Sequence, residues 1–293
     1  MANGYKRRIG DRKEGRLLRS LDPITKLIPF IMKTRNDASN NFADSVEITE
    51  IDRWLRAKRA EGWKGIGMLH VFVAAYVRAV AARPAINRFV SGQRIYARNN
   101  IEVVMAVKRS LTADGSETTI KVELEPTDTV FDVYRKMSRV IDEVKADEGG
   151  NNTEHVAEAF TKLPRILLRM LIALISLLDY FGLVPKALLG ASPFHGSMII
   201  TDLGSLGIPP IYHHLYNFGN LPVFIAVGSK RRARELDKEG NPVERKYMDY
   251  TVVTDERICN GQYYSTAFKH LKYYLRKPEL LENAPETVEE DVF

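Results

Sequence analysis

Residues 252–268, VVTDERICNGQYYSTAF, pass from one kind of structure to another within a single short stretch. Val252–Thr254 continue the alternation of RKYMDYTVVTD (245–255) and read as the end of a strand. Asp255–Asn260 are charged or polar apart from Ile258 and Cys259, which suits a loop. After Gly261, apolar side chains fall at Tyr263, Tyr264, Ala267, Phe268, Leu271, Tyr274 and Leu275, a helical spacing that predicts a helix over 262–275. Upstream, LPVFIAVGS (221–229) is apolar almost throughout and should be central in a sheet. SMIITDLG (197–204) is a further strand.

The N-terminal half mixes the same units. Residues 20–35 read as an arm or short helix, and FADSVEITE (42–50) as a strand. Thr49, with Asp52 three residues later, predicts the start of a helix over about 50–61. Residues 68–82, MLHVFVAAYVRAVAA, form a helix apolar on most sides, which must be buried against a sheet. Arg94–Tyr96 and Ile101–Lys108 are strand candidates, and TTIKVELEP (118–126) alternates with period two. A long amphipathic helix over 128–146 is expected, capped by Thr127 or Asp128, with a loop at Gly149–Asn152. Strands and helices mixed in this order imply a layered α/β fold with a mixed sheet and packed helices. Uneven element lengths argue against a regular barrel.

The 293 residues are 45% apolar and 27% charged, the composition of a globular chain. One Cys excludes an intramolecular disulfide or a Cys-rich zinc module, and the six His show no ligand spacing, so no metal site is expected. The opening residues contain no apolar signal segment, which makes the cytoplasm the expected location. Residues 1–20 carry seven Lys/Arg against Asp11 and Glu14, so five of the six net positive charges lie there. The body is nearly neutral, and 278–293 hold six acids and no base. A basic flexible arm (1–20) and an acidic tail (282–293), both solvated, are expected to flank one domain over 21–281. Nucleic acid as a partner rests on that arm alone. Within the domain, about 160–192 is an apolar helical insertion. Ile166–Leu178 is apolar except for Arg169 and Ser176, yet shorter than the roughly twenty residues that span a bilayer. The favoured reading is a buried or oligomer-facing helix pair broken by Gly182 and Pro185. Contact with a membrane surface or an acyl chain is the alternative.

Several segments together resemble the catalytic domain of the dihydrolipoyl acyltransferases of 2-oxo acid dehydrogenase complexes, which share their fold with chloramphenicol acetyltransferase. PAINRFVSGQRIYARNNIEVVMAV (84–107) resembles the family's proline-x-x-asparagine stretch and paired strands. SMIITDLGSLG (197–207) resembles its strand ending in serine-asparagine-leucine-glycine. VVTDERICNGQYYSTAF stands where the family has its aspartate-histidine-arginine and histidine-x-x-x-aspartate-glycine motifs. The likeness runs from about Leu21 to Leu281. It implies an α/β sandwich, a homotrimer with active sites between subunits, and coenzyme A or an acyl-CoA as substrate, with no permanently bound cofactor. It also implies direct transfer to a thiol, hydroxyl or amine, with a histidine taking the acceptor's proton. No lipoyl module or Ala/Pro-rich linker precedes the domain in this sequence, so a stand-alone relative is expected.

The chain departs from that pattern at the chemistry. Glu256 stands at the histidine position and Asn260 at the aspartate position, while Asp255, Arg257 and Gly261 are retained and would support the site. Imidazole titrates near neutrality and can take and return a proton. A carboxylate is a much weaker base at pH 7 unless burial raises its pKa. Glu256 is expected at a subunit boundary, paired with Arg257, Arg88 or Arg98. Either His213 or His214, in IPPIYHHLYNFGN, could supply the base from a new direction, and Thr201 or Ser197 could donate to an oxyanion. His70, His195 and His270 read as structural, and Cys259 has no base at an obvious spacing. Two classes of function follow: a CoA-dependent acyltransferase with a rearranged base, or a pseudoenzyme that binds a ligand or serves as a scaffold.

Overall fold

The computed structural model of the chain describes residues 5–108, 117–146 and 152–293. Its strands form two sheets. Strands β1 (Gly15–Leu17), β3 (Arg88–Ser91) and β4 (Arg94–Arg98) make a small sheet in the order β1-β4-β3. The main sheet holds β2 (Ser39–Glu47), β5 (Ile101–Lys108), β6 (Glu117–Leu124), β7 (Met198–Asp202), β8 (Val223–Leu236) and β9 (Pro242–Asp255). Its order is β2-β9-β8-β7-β5-β6. The β5–β7 and β7–β8 pairs are parallel and the other three are antiparallel, so the sheet is mixed, as the sequence predicts.

The two faces of the main sheet differ. Its inner face meets helices α2 (Thr49–Ala60), α3 (Met68–Ala82), α4 (Val130–Ala146) and α8 (Gly261–Arg276) in one large apolar core. Every residue of α3 from Val71 to Ala81 is buried, because α4 and α8 flank it above the sheet. Tyr76, Phe72 and Tyr250 are among its largest fully buried side chains, each worth roughly 1.5–3 kcal/mol or more by its apolar area. The outer face carries only a small cluster of Leu215, Phe224 and Val253, with Ile199 and Tyr216 against it, under the loop that joins β7 to β8. Gly204 is required there, since a Cβ on it would stand 2.6 Å from the Gly228 carbonyl oxygen.

Two helix starts differ from expectation. Ile48, not Thr49, occupies the cap position of α2, because the Thr49 hydroxyl accepts instead from the Lys246 N–H of β9 (3.3 Å). The cap of α4 is a reciprocal Thr129–Asp132 box rather than Thr127 or Asp128. Asp132 accepts from the Thr129 N–H (2.9 Å) and the Thr129 hydroxyl accepts from the Asp132 N–H (3.2 Å). Asp128 turns back to Glu125 and Lys136. The expected loop at Gly149–Asn152 lies outside the described residues save for Asn152, which opens α5 (Asn152–Thr161).

The arm and tail are built in rather than solvated. Arg12 is buried and donates to the carbonyls of Asp179 (2.5 Å) and Tyr180 (2.7 Å), which ties the arm to α6 (Arg165–Tyr180). Gly15–Leu17 pair with β4, and the Arg16 guanidinium lies over the Phe293 ring. The tail returns across the body through a buried Arg88–Asp291 ion pair. Arm and tail meet through Arg16, which donates to the carbonyls of Asp291 and Val292, while the tail's Glu282 and Asp291 pair with Lys58 and Arg88 of the body; reading each as a solvated run misses these contacts. Helix α6 is not buried within the chain. Of its residues only Ile175 is buried, and Ile166, Leu167, Met170, Leu174 and Leu177 are exposed. A turn at Gly182, with φ of +72°, leads on to α7 (Lys186–Ala191).

Candidate functional site

The 255–260 loop is held by buried charge. Asp255 closes β9 fully buried, and Arg257 grips its carboxylate with two donors, Nε to Oδ1 (2.8 Å) and Nη2 to Oδ2 (2.7 Å). Arg257 also donates to the Met32 carbonyl (3.2 Å), and its own N–H donates to Asp255 Oδ1 (3.1 Å). Arg35 reaches the same carboxylate with Nε at 3.9 Å and donates to the carbonyls of Tyr216 (3.1 Å), Asn217 (3.0 Å) and Val90 (3.1 Å). Burial pushes the Arg35 guanidinium down to about 10, against the attraction of Asp255, so it stays cationic near neutrality. Two buried cations on one carboxylate therefore lock together loops that are distant in sequence. Arg35 is not singled out by any pattern in TRNDASN; only the fold brings it to Asp255.

Within that frame Glu256 points outward. It is exposed, and among the described residues its side chain makes no hydrogen bond or ion pair; its N–H donates to the Ala38 carbonyl (2.8 Å). The expected arginine partners are engaged elsewhere. Arg257 holds Asp255, Arg88 holds Asp291, and Arg98 donates to Asn220 Oδ1 (2.9 Å). Asn260 is the N-cap of α8, its Oδ1 accepting from the Tyr263 N–H (2.9 Å). Gly261 follows with nothing within 4 Å of where a Cβ would stand, so nothing in this chain demands glycine there. Cys259 is buried, which pushes its thiol up to about 12 and leaves no thiolate for nucleophilic chemistry.

The remaining candidates divide between the strand entrance and the outer face. Ser197 is fully buried and spent on structure: its hydroxyl accepts from the Glu102 N–H (2.9 Å) and its N–H donates to the Glu102 carbonyl (2.8 Å). His195 is buried with Nδ1 2.8 Å from the Ser192 hydroxyl. His70 accepts from the Gly67 N–H at the start of α3 (3.0 Å). Thr201 lies on the outer face, half-buried, with its hydroxyl free of any partner among the described residues. His213 stacks flat on Phe224, with ring centroids 4.2 Å apart, and its buried Nε2 has no partner. Burial, aided by His214, lowers its pKa and favours neutral imidazole. His214 is exposed against Tyr216.

Strand register sets the distances. Thr201 pairs with Ala226, and Ala226 with Thr251. Glu256 lies five residues beyond Thr251 along the chain. At about 3.3 Å per residue and about 4.8 Å per strand, Thr201 and Glu256 of one chain stand roughly 19 Å apart. Phe224, beneath His213, pairs with Ile199, two residues from Thr201 on the same face. His213 and Thr201 therefore share a neighbourhood within one chain, and Glu256 stands apart from both.

No protein-family model matches the chain, and no curated protein matches its sequence. Solved structures match its fold. A probable dihydrolipoamide acetyltransferase from Listeria monocytogenes is similar with a TM-score of 0.57 and 14% identity, over 88% of this chain and 94% of that one. The dihydrolipoamide acetyltransferase of Azotobacter vinelandii gives a TM-score of 0.56 and 14% identity, over 93% and 95%. Chloramphenicol acetyltransferase gives 0.53 and 14%, over 89% and 99%. The chain has the chloramphenicol acetyltransferase-like fold.

Proposed function

We propose that this chain is a CoA-dependent acyltransferase that works as a homotrimer, with sites between copies and with His213 as the base. The observation that carries the reading is an unpartnered hydroxyl, Thr201, on the outer sheet face, two residues from the strand partner of Phe224, on which His213 stacks with its Nε2 unpartnered and its pKa lowered. An acceptor X–H would attack the thioester carbonyl of an acyl-CoA while His213 Nε2 takes its proton. The Thr201 hydroxyl would donate to the oxyanion. Collapse would expel the CoA thiolate, and the imidazolium would return the proton to that sulfur.

The register supports a site between copies, because within one chain Glu256 lies too far from Thr201 to act with it. In the Azotobacter enzyme a serine, a histidine and an asparagine are studied for roles in catalysis, and the last two stand four positions apart. Glu256 and Asn260 have that spacing, so an asparagine at this place is compatible with an active enzyme. The departure that matters is then the glutamate alone.

A second reading, a non-catalytic ligand-binding or scaffold relative, is favoured by Glu256 itself, which stands exposed and without a partner among the described residues. Calorimetry with CoA and acyl-CoA thioesters, followed by assays of thiol release with thiol, alcohol and amine acceptors, separates the two. Under the first reading His213→Asn lowers the rate by about 10²–10⁴-fold and Glu256→Gln changes it only a few-fold. Binding with no turnover for any acceptor would leave the second reading standing. Absence of CoA binding at millimolar concentration would remove both in their CoA form.

A further inference from the structure

Helices α1 (Pro23–Ile31) and α6 each present an exposed apolar face and both reach the β3–β4 hairpin, a platform that the reading above does not use. On α6, Ile166, Met170, Leu174 and Leu177 follow one another at helical spacing, each more than half exposed. On α1, Ile24, Leu27 and Ile31 do the same. The common point is the tip of the β3–β4 hairpin. Tyr180, at the end of α6, donates to Gln93 Oε1 (2.9 Å), and Phe30 of α1 lines a cleft shared with Gln93 and Arg94. Buried Arg12 fastens the end of α6 to this corner.

The charges on and beside the platform are mostly positive. Arg165 and Arg169 interrupt the apolar face of α6, while Lys26, Lys33 and Arg94 stand on and beside α1. All five are exposed and none has an ion-pair partner among the described residues. No acid occurs from Leu163 to Leu178, and Asp22 of α1 is spent capping Thr25. The basic arm adds exposed Arg8 and fully exposed Ile9, joined to the corner where Gly10 approaches Arg94.

We propose that α1, α6 and the basic arm dock the protein on an anionic lipid bilayer. An amphipathic helix with cations on its rim lies in the headgroup layer and buries its apolar side chains below it. Anionic lipids add about 1 kcal/mol per nearby Lys or Arg. The 16 residues of α6 extend about 24 Å, and no helix among the described residues is long and apolar enough to cross a membrane, so α6 lies on the surface. Tyr180 and Phe181 end the helix with the aromatic rings suited to that depth. A second copy apposed through this same face about a twofold axis would bring Arg165 and Arg169 against their equivalents with no acid to pair them; a contact with a different face, as in a trimer, is read out by light scattering. The proposal stands apart from the acyl-transfer reading, since lipid binding needs neither CoA nor turnover.

Flotation with vesicles of equal phosphatidylglycerol and phosphatidylcholine, against vesicles of phosphatidylcholine alone, tests it. The intact chain should float with the anionic vesicles, stay behind with the neutral ones, and be released as salt rises. Arg165→Gln with Arg169→Gln should weaken binding about thirtyfold, and Met170→Glu with Leu174→Glu about a hundredfold or more. All four residues are exposed, and melting curves identify any variant that fails to fold. Light scattering reads the assembly of each variant. Failure of the intact chain to bind anionic vesicles overturns the proposal, as does equal binding to neutral ones or undiminished binding by both variants. A smaller particle for Met170→Glu with Leu174→Glu would also overturn it, by assigning the face to a contact between copies.

Discussion

Asp255 shows how much one buried side chain can determine. Two guanidiniums, Arg257 and Arg35, depend on its carboxylate in a region with almost no access to water. Asp255→Asn would leave both cations buried with only carbonyls as partners, at a cost of about 3–5 kcal/mol. Urea unfolding should show the loss in the midpoint, with the slope unchanged. Asn260→Ala removes the cap of α8 and should cost about 1 kcal/mol, whereas Asn260→Asp keeps an acceptor and should be close to neutral. His70 gives stability a pH dependence. Burial lowers its pKa to about 4, below the ordinary value near 6.5. As pH falls from about 6.5 to about 4, the unfolded chain takes up a proton that the native state resists. Stability is therefore present above that window and lost through it. His70→Gln should flatten that part of a stability–pH profile. At this scale the sequence could mark Asp255, Arg257 and Asn260 through a resemblance in their spacing. It carried no mark for Arg35, because nothing local distinguishes an arginine that crosses the fold to a carboxylate 220 positions away.

Helix α6 is an element whose character was plain in sequence and whose location was not. Thirteen residues with two polar interruptions announce a helix with an apolar surface. Which body covers that surface is a property of the partners, and within this chain almost nothing does. Its C-terminal end is held chiefly by Arg12, which donates to the Asp179 and Tyr180 carbonyls, with Ser91 and Gln93 adding bonds to the same two residues. Arg12→Met should therefore loosen 165–191 without unfolding the core. Hydrogen exchange should speed up there and leave α3 and β5 protected. The central strands and α3 were legible for the opposite reason. Val71–Ala81 of α3 and Val223–Gly228 of β8 are buried by the rest of the chain, so unbroken apolar sequence and burial coincide.

At the scale of the whole molecule, the proposed trimer is tested directly. Light scattering on the purified chain should give three chain masses, and a stable monomer at micromolar concentration would remove the site between copies along with it. Removing residues 288–293 should destabilise the chain by several kcal/mol, because Arg88 would remain buried without Asp291. By itself the sequence determined most element types, the mixed α/β class and the segment where a polar loop, 255–260, follows a strand and opens a helix. Those rest on periodicity and local turn chemistry, which act between near neighbours. The tertiary structure alone decided that arm and tail fold onto one another, that Arg35 completes the Asp255 cluster, and that Ser197 is sealed while Thr201 is open. It also decided that Thr201 and Glu256 stand roughly 19 Å apart. Strand order and register create these relations between residues far apart in sequence, and neither is encoded in the pattern of any single segment.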